Sequence, residues 1–167
     1  AMGENKIGTT QRGIGPCYID KIARNGIRIG DLLEPERFRD KLTWNVLEKN
    51  DMLVRYGKPT FDLEELYNKF MELADKIKFR IIDGVVEINE AIEDKKLVLF
   101  EGAQALMLDI DYGTYPYVTS SSPTAGGVTT GVGVSPRKIE RILGVMKAYV
   151  TRVGEGPFPT EQDNEIG

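Results

Sequence analysis

Apolar residues in the first half of the chain recur at the three- and four-residue spacing that is typical of amphipathic helices. Phe38, Leu42 and Val46 lie four residues apart and define one such face. Pro35 precedes them and suits the first turn of a helix, because proline lacks the N–H that this turn leaves unpaired. This helix is predicted to run to about residue 49.

A second helical stripe covers residues 62–78. Asp62 and Glu65 have the spacing of a capping box, in which side chains satisfy the first free N–H groups of a helix. Shorter helices are predicted over residues 18–24 and 82–92. Asn25 and Gly26 follow the first of these and indicate its end, since both residue types tolerate the left-handed conformation of a C-cap.

The second half changes from helical spacing to short apolar runs between polar loops. The run at residues 97–100 predicts a buried strand, which leads into a loop rich in Gly, Thr, Ser, Asp and Tyr that extends to residue 127. Long connections of this kind are usually functional or disordered, and the aromatic and apolar residues here argue against disorder. A helix over residues 136–143 and a strand over residues 145–150 are predicted to follow.

This order of elements predicts an α/β fold with two parts. A mainly helical subdomain, residues 1–95, is followed by part of a mixed sheet domain, residues 96–167. The helical part begins with a glycine-rich loop at residues 7–16. Exposed N–H groups in that loop, with the Thr9 and Thr10 hydroxyls and the Arg12 guanidinium, could receive a phosphate, although a flexible segment would have the same composition.

Composition and charge restrict the classes of function. The 167 residues carry a net charge of −4, which gives no electrostatic reason to expect a nucleic-acid partner. Cys17 is the single cysteine and suits a reducing compartment, and no apolar run is long enough for a membrane span, so we expect a cytoplasmic protein. Histidine is absent, which removes the commonest acid–base residue. No GxxxxGK[ST] phosphate loop is present either.

Four motifs together resemble the adenylosuccinate synthetase family. They are IGTTQRGIGP at residues 7–16, EGAQ at 101–104, TYPYVTSS at 114–121 and TRVGEGPFPTE at 151–161. The resemblance covers nearly the whole chain, but it corresponds only to the middle of that enzyme. It implies the synthetase fold and a two-step reaction, in which GTP phosphorylates the 6-oxygen of IMP and the amine of L-aspartate then displaces the phosphate, with magnesium as cofactor.

The resemblance also implies roles for four residues of this chain. Thr10 and Thr119 match two threonines whose hydroxyls bind the IMP phosphate. Arg24 matches an arginine that reaches the IMP phosphate of the neighbouring subunit, which implies a homodimer with shared sites. Gln104 matches the glutamine that lies against the hypoxanthine and positions the base. Hydroxyls and a guanidinium suit a phosphate, and an amide suits a base edge.

Other parts of the family's site fall outside the matched segment. The resemblance places the family's phosphate loop, catalytic aspartate and histidine acid before residue 1, and its aspartate- and guanine-recognition segments after residue 167. We therefore expect no catalytic residue, no metal ligand and no ligand of GTP in this segment, and we expect the isolated chain to be inactive. Two alternatives remain open: a non-catalytic module that binds a purine nucleotide or phosphate, and a module that only dimerises.

Overall fold

The fold was analysed in a computed structural model that describes residues 11–152 and 156–165. The chain divides into two compact units. One unit is formed by residues 16–83 and the other by the described residues before 16 and after 83. The boundary near residue 95 that separates the predicted subdomains stays a prediction.

The unit of residues 16–83 is helical, as predicted. Helix α1 spans Ile14–Ala23, α2 spans Pro35–Arg55 and α3 spans Leu63–Ile77. Short 3-10 turns lie at Ile29–Leu33 and Lys78–Arg80. Asp62 is the N-cap of α3, and its side chain accepts a hydrogen bond from the Glu65 N–H at 2.8 Å. This confirms the capping interaction from the side of Asp62.

The core of this unit forms where α2 faces α3. Phe38, Leu42 and Val46 are buried on α2, as their spacing predicts. Tyr67 stacks on Phe38 with 5.8 Å between ring centroids, and Phe70 meets Phe38 edge to face at 6.1 Å. Aromatic pairs in such geometries contribute roughly 1 kcal/mol beyond the burial of their area. The Phe38 ring is therefore the centre of the α2–α3 contact.

A buried carboxylate, Asp31, ties the turn before α2 to that helix. Its side chain is 3% exposed and accepts hydrogen bonds from Lys41 Nζ and from the Arg28 N–H, each at 2.7 Å. Arg37 Nε lies 3.1 Å away. Burial would raise the pKa of Asp31, but these hydrogen bonds and the charges of Lys41 and Arg37 lower it below its ordinary value.

The second unit combines two helices with long irregular segments. Helix α4 spans Gly84–Glu93, α5 spans Gly126–Val132, and 3-10 turns lie at Leu106–Leu108 and Pro136–Lys138. Asn89 of α4 donates to the Gly133 carbonyl at 3.2 Å, just after α5. Lys138 Nζ lies 3.1 Å from a Glu93 carboxylate oxygen. These contacts attach the segment after α5 to α4.

The predicted sheet is wrong for the part of the chain that the structure describes. Residues 97–100 and 145–150 were expected to be strands of a mixed sheet, yet no strand occurs among residues 11–152 and 156–165. The expected helix over residues 136–143 is reduced to the turn at Pro136–Lys138. The described fold is therefore helices joined by irregular loops, and the α/β assignment is corrected.

The reason lies in partners that local sequence does not specify. A strand is defined by backbone hydrogen bonds to a neighbouring strand, and these two segments make no backbone hydrogen bonds with each other or with other described residues. Leu97 and Val145 are almost fully exposed, so neither segment is buried as the prediction required. Ile142 and Leu143 are also exposed, and a helix without a packing surface is marginal.

The longest described helix, α2, has 21 residues, but it is amphipathic and charged rather than apolar. Within the described ranges, no helix is both long and apolar enough to cross a membrane.

We predict that Asp31 contributes to the stability of the helical unit. Asp31→Ala should lower the free energy of unfolding by about 2 kcal/mol, because Lys41 and the Arg28 N–H lose a buried acceptor. Asp75→Ala, which removes an exposed pair with Lys78, is the matched control and should change stability by less than about 0.5 kcal/mol. Urea unfolding measures both, and equal effects would contradict the prediction.

The lowered pKa of Asp31 also predicts a dependence on pH. A carboxylate whose pKa is lower in the folded state stabilises the fold above its unfolded pKa of about 3.9. That contribution is lost as the pH falls through the folded-state pKa. The stability difference between the parent and Asp31→Asn should therefore be constant near neutrality and shrink below about pH 4. A difference that stays constant down to the acid transition would show that the carboxylate charge does not matter.

Candidate functional site

A cavity in the second unit is lined by the EGAQ motif. Gln104 lines it from one side, with the preceding residues 99–103, and residues 121–124 form another wall. The volume is about 340 Å³. Gln104 is exposed and has a φ of +64°, a left-handed conformation that few non-glycine residues adopt. Lys95 has a similar φ of +59°, so this conformation does not by itself mark a site.

The start of α5 closes the cavity on a further side by a very close backbone approach. A Cβ atom placed on Gly127 would lie 2.0 Å from the Ser122 carbonyl oxygen, a distance that no side chain can tolerate. Gly102 is also close to this wall, since its Cβ would lie 3.6 Å from the Pro123 oxygen. The AGG sequence at 125–127 therefore allows the helix to begin directly against the loop that lines the cavity.

Thr119 lies beside the same cavity through Ser121. The Thr119 and Ser121 hydroxyls are 3.2 Å apart, and Ser121 lines the cavity. The Thr119 N–H donates to the Leu108 carbonyl at 2.8 Å, and the Ile110 N–H donates to the Ser121 carbonyl at 3.2 Å. The structure thus brings Gln104 and the Thr119–Ser121 hydroxyl pair to one region of this unit.

Asp109 holds the loop between these residues and was not identified from the sequence. It is fully buried, and its Oδ1 accepts from the Asp111 N–H at 2.9 Å and the Tyr112 N–H at 3.2 Å. Burial would raise its pKa, but these amides and the amide and hydroxyl of Thr124 lower it, although Oδ2 makes no hydrogen bond of ordinary length. The signal was present: an aspartate followed by residues of a turn ending in Gly113 is typical of an Asx turn.

Arg24 lies in the other unit, at the end of α1. The Asn25 and Gly26 N–H groups both donate to the Asp20 carbonyl, at 3.1 and 3.0 Å, and close the helix as predicted. The left-handed residue, however, is Arg24 itself, with a φ of +67°. Its side chain is exposed.

Thr10 lies outside the described residues, but the end of its glycine-rich motif is described. A Cβ atom placed on Gly15 would lie 3.5 Å from the Ser120 hydroxyl oxygen. The IGTTQRGIGP motif therefore ends next to the segment that carries Thr119. Among the described residues, no group of three or more His, Cys, Asp or Glu side chains could hold a metal ion.

Comparisons with known proteins identify the class to which this fold and these motifs belong. The sequence profile of a family described as adenylosuccinate synthetase matches residues 1–167. An adenylosuccinate synthetase of Fusobacterium nucleatum subsp. nucleatum is 60% identical over 163 residues, which are 97% of this chain and 38% of the relative. One of Heliobacterium modesticaldum is 55% identical over 166 residues, which are 99% of this chain and 39% of the relative.

A solved structure agrees with this assignment. The fully ligated adenylosuccinate synthetase from Plasmodium falciparum is 46% identical, with a TM-score of 0.87 over 97% of this chain. The chain belongs to the adenylosuccinate synthetase family. It spans about two fifths of the length of these relatives.

We predict that the left-handed backbone of Gln104 lowers the stability of the fold, and that this effect is independent of what its side chain binds. Gln104→Gly should raise the free energy of unfolding by roughly 0.5 kcal/mol, because glycine adopts a positive φ without the Cβ penalty but loses more entropy on folding. Lys95→Gly is the matched control, since Lys95 is exposed and has a φ of +59°. Both variants should be stabilised in urea unfolding. A destabilised Gln104→Gly alone would indicate that the amide has a structural role.

Proposed function

We propose that this chain supplies the IMP-binding part of an enzyme that joins IMP and L-aspartate at the expense of GTP. The observation that carries the proposal is the cavity that Gln104 and Ser121 line, with Thr119 in contact with Ser121. An amide and a pair of hydroxyls in one place provide groups for a base edge and for a phosphate. Membership in the synthetase family supports the choice of IMP among nucleotides.

Each proposed residue has a distinct task. The Gln104 amide can both donate to and accept from the 6-position of hypoxanthine, which holds the 6-oxygen in place for phosphorylation. The Thr119 hydroxyl donates to the phosphate of IMP. Thr10 is proposed to donate to the same phosphate, and the approach of Gly15 to Ser120 supports that role. None of these groups transfers a proton in the reaction, so their contribution is binding and orientation.

GTP and magnesium belong to the proposed reaction of the whole protein. Magnesium would neutralise charge on the transferred phosphoryl group. The described residues contain no group of three or more His, Cys, Asp or Glu side chains that could hold a metal ion. No step of the reaction that passes through the metal is therefore assigned to residues of this chain. A cytoplasmic location is proposed with the activity, and Cys17, which is a free exposed cysteine, is compatible with it.

The isolated chain should bind IMP without turnover. We expect heat of binding on titration with IMP, and no phosphate release when GTP, magnesium and L-aspartate are added. Thr119→Val should weaken IMP binding about 10-fold, because it removes one charge-assisted hydrogen bond and keeps the shape of the side chain. Thr130→Val is the control, since Thr130 is an exposed threonine of α5 that does not line the cavity.

Other results of the binding and activity measurements would favour other functions. Phosphate release above background would contradict the assignment of the acid, base and metal ligands to other parts of the protein. Binding of IMP with no synthetase activity, even in a full-length protein that carries this segment, would favour a non-catalytic nucleotide-binding module. An unchanged affinity in Thr119→Val would remove Thr119 from the site.

We further propose that Arg24 acts in a neighbouring subunit. Its exposed side chain at the end of α1 supports this, and so does the surface of that helix, in which Ile19 and Ile22 are 67% and 77% exposed. Apolar residues so exposed on one helix are commonly covered by a partner. A second copy of the chain would cover them and bring Arg24 to the IMP phosphate.

Mixing two impaired variants, at an IMP concentration where each alone has little activity, tests this proposal. In a full-length enzyme that carries this segment, Arg24→Leu and Gln104→Ala should each raise the KM for IMP. If Arg24 acts across subunits, mixed dimers should regain one intact site, and activity should approach about a quarter of the parent value, because half of the dimers are mixed and each has one good site of two. Activity of the mixture that equals the mean of the two variants would place Arg24 in its own subunit.

A further inference from the structure

Arg152 is the residue that connects the TRVGEGPFPTE motif to the loop carrying Thr119. Its Nη1 donates to the Thr114 hydroxyl oxygen and its Nη2 to the Tyr117 carbonyl, both at 3.2 Å. The two bonds use the fork of the guanidinium, and each goes to one end of the turn formed by residues 114–117. A lysine ammonium lacks this planar pair of donors, so it would not hold the two acceptors in the same geometry.

The turn that Arg152 holds leads directly to Thr119. The Tyr117 N–H donates to the Thr114 carbonyl at 2.9 Å and closes the turn. The Thr114 N–H donates to the Met107 carbonyl at 2.9 Å, and two residues after the turn Thr119 bonds to Leu108. One residue separates Tyr117 from Thr119, so the main-chain position of Tyr117 restricts where the Thr119 hydroxyl can lie.

Gly156 lies very close to both Arg152 and Tyr117. A Cβ atom on Gly156 would lie 2.6 Å from Arg152 Nη2 and 2.6 Å from Tyr117 Cγ. Its φ of +113° is a conformation that residues with side chains rarely adopt. Glycine is thus required here for two reasons: the positive φ, and the lack of space for a Cβ atom beside the guanidinium.

We propose that Arg152 is a positioning residue that sets the Thr119 hydroxyl for the phosphate of the bound nucleotide. The hydrogen bonds described for Arg152 go to Thr114 and Tyr117, in the loop that carries Thr119. This role rests on the proposed function, because it requires that Thr119 bind a nucleoside monophosphate. The bond to Tyr117 fixes the main chain, and the bond to Thr114 fixes the start of the turn.

The experiment measures the KM for IMP, the KM for GTP and kcat in a full-length enzyme that carries this segment. Arg152→Lys keeps the charge and loses the fork, and it should raise the KM for IMP about 10-fold, as expected for the loss of a hydrogen bond to a charged group. The KM for GTP and kcat should stay within about twofold of the parent, since the site is displaced and not destroyed. Arg141→Lys, at an exposed arginine, is the matched control.

A second variant tests position without changing charge. Gly156→Ala leaves Arg152 intact but displaces Arg152 and Tyr117, and it should raise the KM for IMP in the same direction. Circular dichroism of each variant without ligand should match the parent. The proposal predicts one further result: in a Thr119→Val background, Arg152→Lys should add little to the KM for IMP, because both changes act on one contact.

Three outcomes are distinguishable. If the parent enzyme shows no IMP-dependent turnover, the proposed function fails and this role fails with it. If Thr119→Val raises the KM for IMP and Arg152→Lys does not, the proposed function stands and the positioning role is overturned. If Arg152→Lys lowers kcat and raises every KM together, or adds fully to Thr119→Val, Arg152 is a general structural residue and the proposal is overturned.

Discussion

The loop between residues 101 and 125 depends on the buried carboxylate of Asp109 for its shape. Outside the 3-10 turn at Leu106–Leu108 this loop has no regular secondary structure. Side-chain hydrogen bonds must therefore pair backbone groups that a helix or sheet would otherwise pair. Asp109 is fully buried, and its contacts to Asp111 and Tyr112 fold the chain back on itself. That reversal lets Thr119 pair with Leu108 and places Ser121 beside Ile110. Gln104 and Thr119 would otherwise have no fixed separation.

A second set of constraints acts on the ends of the same loop. Gly127 allows α5 to start against Ser122, and Arg152 attaches residues 114–117 to a later part of the chain. Asp109 is itself part of this loop, whereas Gly127 and Arg152 follow it in the chain. The cavity wall is therefore held by neighbours that are distant in sequence, which explains how a loop with so little secondary structure can have a defined shape.

Features that depend on residues close in sequence could be predicted, whereas features that depend on distant partners could not. Helices α2 and α3 were predictable, because the spacing of Phe38, Leu42 and Val46 and the cap at Asp62 are local signals. The strands at residues 97–100 and 145–150 were predicted wrongly, because alternating or apolar sequence indicates extended backbone but does not specify a partner strand. In the same way, the length of the helix after Pro136 depended on packing that the sequence does not show.

The candidate site shows the same division. Gln104 and Thr119 were named by their motifs, and the cavity beside them was found in the structure. Asp109, Gly127 and Arg152 were not named, since each acts through a contact with residues whose proximity only the fold determines. Asp109 had a local signal in its turn sequence and Arg152 lies in the TRVGEGPFPTE motif, but the partners of Arg152 lie 35 and 38 positions away and could not be named. The residues proposed to bind could thus be named from motifs, whereas the contacts that hold them in place could not.

The placement of Arg24 and Gln104 in different units bears on how a shared site would be built. If Arg24 acts from the neighbouring subunit, as proposed, the end of α1 must be accessible and its backbone must be fixed. Arg24 is exposed, and the paired hydrogen bonds of Asn25 and Gly26 to Asp20 fix the backbone that carries it. Arg24 itself has a φ of +67°, so a strained residue ends the helix at the position proposed to act in the other subunit.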